Sequence, residues 1–154
     1  MKILIPLDGS ALALEAVRMV IRLVGDGLRA DVVLANVQSP SSLYEVVVAH
    51  DAEVLQQVSS AAGAHALQGG AAMLENAGIA YECEVTTGDA AHSLVDIIER
   101  FGCDAVVMAS HGGGALSAIV GSVSQALLHA SPVPVMVVRA GTASAVAAAD
   151  SVEE

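Results

Sequence analysis

The stretch VVMASHGGGALSAIVGSVS, at residues 106–124, indicates the fold class of the chain. It opens on an apolar run, Val106 to Met108, of the kind found in strands that are covered on both faces. Three glycines follow at Gly112–Gly114, and Gly121-Ser122 then precedes a helical pattern. Because glycines leave backbone N–H groups accessible and a helix N-terminus attracts negative charge, this order of elements predicts a phosphate-binding loop.

Outward from this stretch, short apolar runs alternate with longer helical patterns. The sequence predicts five strands, over residues 2–7, 31–37, 79–86, 105–108 and 132–139. Four helical patterns lie between them, over about residues 10–24, 51–76, 88–101 and 121–130. This alternation is typical of a doubly wound α/β domain, with a parallel sheet and helices on both faces. With the strand order 3-2-1-4-5, the first and fourth strands flank the switch point at which such sheets bind ligands.

Two local features of the predicted helices lead to further predictions. Ser10 is placed to cap the first helix, because a serine side chain can accept a hydrogen bond from the first turn. The pair Gly69-Gly70 predicts a weak point inside the long helix of residues 51–76, because glycine is a poor helix former.

Composition limits the class of protein. The chain has 154 residues, 55% of them hydrophobic, which suits one domain with a substantial core. A formal net charge of -11 without any basic cluster makes nucleic acid an improbable partner. Cys83 and Cys103 lie far apart and lack the spacing of a zinc site, so both are expected to be buried free thiols in or beside core strands.

No segment of the sequence predicts membrane insertion. The apolar run at residues 3–7 is too short for the hydrophobic part of a signal peptide. No window reaches the ~18 consecutive apolar residues of a membrane span. We therefore expect a cytoplasmic protein.

Several motifs together resemble the universal stress protein family. They are ILIPLDGS at residues 3–10, Gly88-Asp89, Ser110-His111-Gly112, Gly121-Ser122-Val123-Ser124 and the closing run PVPVMVVR at residues 132–139. The resemblance covers residues 1–139 in the right order. Residues 140–154 are expected to form a flexible acidic tail.

The resemblance implies a Rossmann-like fold of the adenine nucleotide alpha hydrolase-like type and a cytoplasmic homodimer that acts in the stress response. One branch of the family binds ATP through a Gly-x-x-Gly-(nine residues)-Gly-Ser/Thr pattern, and another branch lacks the pattern. Here Ala109 stands in place of the first glycine, and only eight residues separate Gly112 from Gly121. The chain therefore lies between the two branches.

Carried over position by position, the resemblance places Asp8 near the ribose and adenine and the backbone of Val37 against the base. Gly112, Gly121 and Ser122 would hold the phosphates. The complete candidate site for ATP, ADP or AMP, with or without Mg²⁺, is Pro6, Asp8, Val37, Ala109, Ser110, His111, Gly112, Gly113, Gly121, Ser122 and Val123.

Structural interpretations of the same residues stay open. The glycine loop could be only a strand-to-helix connection. Asp8 could cap the first helix together with Ser10, and Ser122 could cap the fourth helix without contacting a ligand.

Catalysis and metal binding are not predicted. His111 has no second ligand at metal-binding spacing, and no Gly-x-Ser-x-Gly elbow surrounds any serine. The Gly-Lys-Ser/Thr of a P-loop is missing as well. We expect nucleotide binding without efficient hydrolysis.

The sequence also bears on two other functional classes. A phosphorylation receiver needs an aspartate after the third strand and a lysine after the fifth, whereas Thr86-Thr87 and Arg139 stand there. The alternative that stays open is an interaction module with a vestigial crevice. In either case the apolar run Pro132–Arg139 would form an exposed sheet edge, which predicts a homodimer joined through it.

Overall fold

The computed structural model describes residues 1–38, 52–110 and 122–139. Strands and helices alternate along the chain: β1 (Lys2–Pro6), α1 (Leu14–Gly25), β2 (Asp31–Gln38), α2 (Ala52–Asn76), β3 (Tyr81–Thr87), α3 (Ala90–Phe101), β4 (Ala105–Ser110), α4 (Ser122–Ala130) and β5 (Val135–Arg139). The five strands form one sheet in the order β3-β2-β1-β4-β5, and all neighbours are parallel. The predicted doubly wound fold and strand order are confirmed. The predicted tail, residues 140–154, lies outside the described residues.

The sheet separates two hydrophobic cores because successive side chains of a strand point to opposite faces. On one face, Ile3 and Ile5 of β1 pack with the buried sides of α1 and α2. On the other face, Leu4 packs with α3 and α4, where Leu94 and Leu127 are buried. Strands covered on both sides explain the nearly continuous apolar sequences of β1, β2 and β4.

The ends of all five strands differ from the prediction, those of β1 and β2 by a single residue each. β4 continues beyond Met108 to Ser110, because its pairing with β5 persists as far as Ser110 opposite Arg139. β5 begins at Val135 rather than at Pro132, since prolines at 132 and 134 have no N–H group to donate. β3 begins at Tyr81 rather than at Ile79.

The two edge strands have opposite character. β3 is polar: Glu82 and Cys83 are exposed, and Glu84 accepts a hydrogen bond from Arg100 at 2.9 Å. β5 is apolar, and Met136 on it is 45% exposed. The expectation of two buried thiols is therefore wrong for Cys83, because its strand has a neighbour on one side only, and right for Cys103, which is 6% exposed.

Among the described residues, no helix combines the length and the hydropathy that crossing a bilayer requires.

Candidate functional site

A cavity of about 310 Å³ opens at the carboxyl ends of β1 and β4, the two strands between which the order of the sheet reverses. Its walls come from the ends of β1, β2 and β4 and from the first turns of α3 and α4. The volume falls within the range of small-molecule sites, about 300–1,000 Å³. We call this cavity the crevice.

The structure brings together six of the sequence-predicted site residues. The crevice is lined by Pro6, Asp8, Val37, Ala109, Ser122 and Val123. Ser110 is buried at the end of β4, with 6% of its surface exposed, and is absent from the described lining. His111, Gly112, Gly113 and Gly121 lie outside the described residues.

Asp8 takes part in a turn that leads from β1 to α1. Its Oδ1 accepts a hydrogen bond from the Ser10 backbone N–H at 2.9 Å, and Ser10 Oγ accepts one from the Ala13 N–H at 3.2 Å. The predicted cap at Ser10 is wrong, because α1 begins only at Leu14 and its N-cap position is Ala13. Asp8 thus stabilises a turn that precedes the helix while its side chain also lines the crevice.

Gly9 allows the backbone conformation of this turn. Its φ of +88° belongs to a region that side chains with a Cβ rarely adopt. A Cβ there would make only an ordinary contact, 3.4 Å from the Cβ of Ala66. The positive φ therefore explains a glycine directly after Asp8.

A buried amide supports the same wall of the crevice from the opposite face of the sheet. Asn36, 3% exposed, donates from Nδ2 to the Leu7 carbonyl at 2.8 Å and accepts from Gln38 Nε2 at 2.5 Å. The Gln38 carbonyl in turn accepts from the Gly88 N–H at 3.0 Å. These bonds join the ends of β1 and β2 to the loop before α3, and we call them the Asn36 network.

The first turn of α3 forms another wall. Asp89 is its N-cap: Oδ2 accepts from the His92 backbone N–H at 3.0 Å and contacts the His92 ring nitrogen Nδ1 at 2.9 Å. The hydrogen bond from the His92 backbone, followed by that from its ring, holds the pKa of Asp89 below its usual value. This cap fixes the start of the helix whose residues Ala90 and Leu94 line the crevice.

Sequence reasoning missed more than half of the described lining: Leu7, Ala13, Ala35, Ala90, Leu94, Met108 and Ser124. The places of these residues along the chain could have identified them, because the carboxyl ends of parallel strands and the N-termini of the following helices meet at one edge of the sheet. Most of these side chains are apolar. They form a largely apolar surface of the kind that binds small molecules.

The described lining contains a single ionisable side chain, Asp8. Within the described ranges, no three His, Cys, Asp or Glu side chains are grouped so that they could hold a metal ion. No nucleophile in this lining has a histidine or lysine beside it as a base. The described walls can therefore bind a molecule, with Asp8 and the hydroxyls of Ser122 and Ser124 as their polar side chains.

Comparison with known proteins assigns the family. The family model described as "Universal stress protein family" matches residues 1–139. The chain belongs to the universal stress protein family. Universal stress protein MJ0531 of Methanocaldococcus jannaschii is 29% identical over 139 residues, which cover 90% of this chain and 81% of the relative.

Solved structures agree with this universal stress protein assignment. Hypothetical protein MJ0577 superposes with a TM-score of 0.69 and 26% identity, covering 90% of this chain and 94% of its own. A family member from Arabidopsis thaliana with AMP bound has a TM-score of 0.66 at 17% identity, with 94% of each chain covered. A universal stress protein in complex with cAMP has a TM-score of 0.62 at 18% identity, with 90% of this chain and 96% of the other covered.

Proposed function

We propose that this universal stress protein binds ATP or a related adenine nucleotide in the crevice, and that binding alters its dimer or its choice of partner. The observation that carries the proposal is the crevice itself, which lies at the switch point of the sheet and is lined by Asp8, Val37 and Ser122 together. AMP in one structural neighbour and cAMP in another support the same class of ligand.

The crevice offers a suitable group or surface for each part of the nucleotide. The apolar walls at Ala35, Val37 and Met108 suit the adenine ring, and the Asp8 carboxylate can accept hydrogen bonds from ribose hydroxyls. The first turn of α4 offers backbone N–H groups and the positive end of its dipole to a phosphate. A magnesium ion would accompany a triphosphate. We propose binding without efficient hydrolysis, and a cytoplasmic location remains a prediction from the sequence.

Titration calorimetry with ATP, ADP and AMP tests this proposal. We expect the native protein to bind at least one of them, and Ala90→Leu to weaken that binding at least tenfold because the larger side chain occupies the crevice. Ala91→Leu is the matched control: it places the same side chain on the same helix, at a residue outside the described lining.

Two results would contradict the proposal. The absence of heat and of any melting-temperature shift at millimolar nucleotide would favour the interaction module with a vestigial crevice. Equal affinities of the native protein and Ala90→Leu would show that the nucleotide binds outside the crevice. Phosphate release, followed over hours with bound ATP, separates a binding protein from an enzyme.

The proposed homodimer joins two β5 edges. β5 pairs with β4 along one side, and its other side faces no strand of the described chain. An apolar strand with an unpaired side tends to associate with another strand. A second copy of the chain, presenting the same edge, would cover it.

A further inference from the structure

Leu7 is the last residue that β2 holds before the chain turns into the crevice. β1 itself ends at Pro6, opposite Ala35 of β2. One residue later, the Leu7 N–H donates to the Ala35 carbonyl at 2.8 Å, and the Leu7 carbonyl accepts from Nδ2 of Asn36 at 2.8 Å. The Asn36 side chain therefore extends the hold of β2 by one peptide unit beyond the end of β1.

The direction of Asp8 depends on this peptide unit. The Leu7 carbonyl and the Asp8 N–H belong to one planar group, so a fixed carbonyl also fixes the plane that leads to the Cα of Asp8. Gly9, which follows with a φ of +88°, is the residue type with the greatest backbone freedom and adds little restraint of its own. The Asn36 amide thus holds the peptide before Asp8, whose own side chain lines the crevice.

The Asn36 amide can form its bonds in one orientation only. Its Oδ1 accepts from Gln38 Nε2 at 2.5 Å while its Nδ2 donates to Leu7. A half-turn of the amide would place two donors together at Gln38 and two acceptors together at Leu7. Since Asn36 is 3% exposed, water has little access to replace either bond.

Packing alone does not account for an amide at this position. Asn36 lies between Ala35 and Val37 on β2, and its side chain points to the sheet face opposite to theirs. The core on that face contains apolar side chains such as Leu34. An apolar side chain at residue 36 would fill the same space without the cost of removing an amide from water. It could not, however, donate to the Leu7 carbonyl.

We infer that Asn36 is a positioning residue for nucleotide binding. Through the Leu7 carbonyl it directs the Asp8 carboxylate at the ribose hydroxyls, and it raises nucleotide affinity from the sheet face opposite to the ligand. The inference rests on the proposed function, and it adds to the determinants of affinity a residue outside the described lining.

Calorimetry with nucleotides that have or lack ribose hydroxyls tests this role. AMP, ADP and ATP are each compared with the dideoxy analogue, which offers no ribose hydroxyl to Asp8. Asn36→Leu raises the Kd of the ribonucleotide about tenfold, as expected when a hydrogen bond to a charged group is lost, and leaves the Kd of the analogue unchanged. A loss of stability alone would not distinguish the two ligands.

Gln38→Ala is a milder test of the same network. It removes the bond that fixes the Asn36 amide but keeps the donor to Leu7. We expect the Kd of the ribonucleotide to rise about threefold, again without a change for the analogue. This variant tests the positioning role even if Asn36→Leu does not fold.

Val20→Ala is the control for stability. Val20 is 0% exposed, in the core on the same sheet face as Asn36, and lies outside the described lining. Its truncation lowers the melting temperature because it leaves a cavity, and it changes the Kd of neither ligand.

Different failures lead to different conclusions. If the native protein binds none of the three ribonucleotides, the proposed function fails. If the native protein binds them and both network variants bind them equally well, the proposed function stands and the positioning role is overturned. The role is also overturned if the variants weaken the analogue as much as the ribonucleotide, if the native protein binds both with the same Kd, or if Val20→Ala weakens only the ribonucleotide.

Discussion

Asn36 shows how one buried side chain can shape the crevice without touching a ligand. It lies near the end of β2, on the sheet face opposite Ala35 and Val37, and its amide bonds to the backbone after β1. Leu7, which provides the acceptor, directly precedes Asp8. The Asn36 network therefore sets where the Asp8 turn begins.

We expect replacement of the Asn36 amide to lower the stability of the protein by a measurable amount. Asn36→Leu leaves the Leu7 carbonyl without its side-chain donor, and we expect the free energy of unfolding to fall by about 1–3 kcal/mol. Gln38→Ala removes only the bond between Gln38 and Asn36 and costs less, about 0.5–1.5 kcal/mol. Urea denaturation of both variants measures the difference. Equal stabilities for Asn36→Leu and the native protein would show that the Asn36 network does not contribute to the free energy of unfolding.

At this scale the sequence predicts some roles and misses others. The proximity of Asp8, Ala109 and Ser122 follows from their places at strand ends and at a helix start. The role of Asn36 does not, because a single polar residue in an apolar strand gives no indication of its partner. The predicted cap at Ser10 is wrong for a similar reason: a cap depends on where the helix begins, and packing decides that position.

Among the elements, α2 lies close to the sheet at one of its glycines. It runs unbroken from Ala52 to Asn76, so the predicted weak point at Gly69-Gly70 is not a break in the helix. At Gly63, an added Cβ would lie 2.2 Å from Cγ1 of Val85 and 2.9 Å from its Cγ2. At Gly69, the nearest atom would be 3.4 Å away, on Leu14.

These two glycines on one helix form a matched pair. Gly63→Ala forces α2 away from β3, because the β-branched Val85 side chain has little freedom to move, and we expect a loss of about 1–3 kcal/mol. Gly69→Ala gains helix propensity without a clash and stabilises by about 0.5–1 kcal/mol. Thermal and urea unfolding of both variants test the pair. A stabilising Gly63→Ala would mean that the helix and strand lie further apart than described.

The existence and order of the elements could be predicted, whereas several of their ends could not. Alternating apolar runs and helical periods mark five strands and four helices, since these patterns reflect burial on a sheet or a helix face. The extension of β4 to Ser110 depends on pairing with β5, a strand far along the chain. Contacts of this kind leave no local trace in the sequence.

On the scale of the whole molecule, the order of the strands could be predicted, whereas the exposure at the edges of the sheet could not. The strand order was predictable because the two candidate binding motifs follow the first and fourth strands, which places these strands side by side at the switch point. The exposure of Cys83 was not, because nothing local to β3 reveals that it is an edge strand.

The proposed dimer is tested by charging the β5 edge. Met136 is 45% exposed on β5 and Leu128 is 46% exposed on α4, so the two have similar exposure at different places. We expect Met136→Glu to shift the protein from dimer to monomer, because two carboxylates would face each other across the interface, while Leu128→Glu stays dimeric. Sedimentation at micromolar concentration measures the change. A native protein that sediments as a monomer would rule the dimer out.

The difference between the two edge strands, β3 and β5, also affects how many copies of the chain can associate. If two copies join through β5, both outer borders of the continuous ten-stranded assembly are β3, which presents Glu82 and the Glu84–Arg100 ion pair to water. Charged borders of this kind resist further strand addition. In such an assembly, further growth by strand pairing would be disfavoured beyond the second copy.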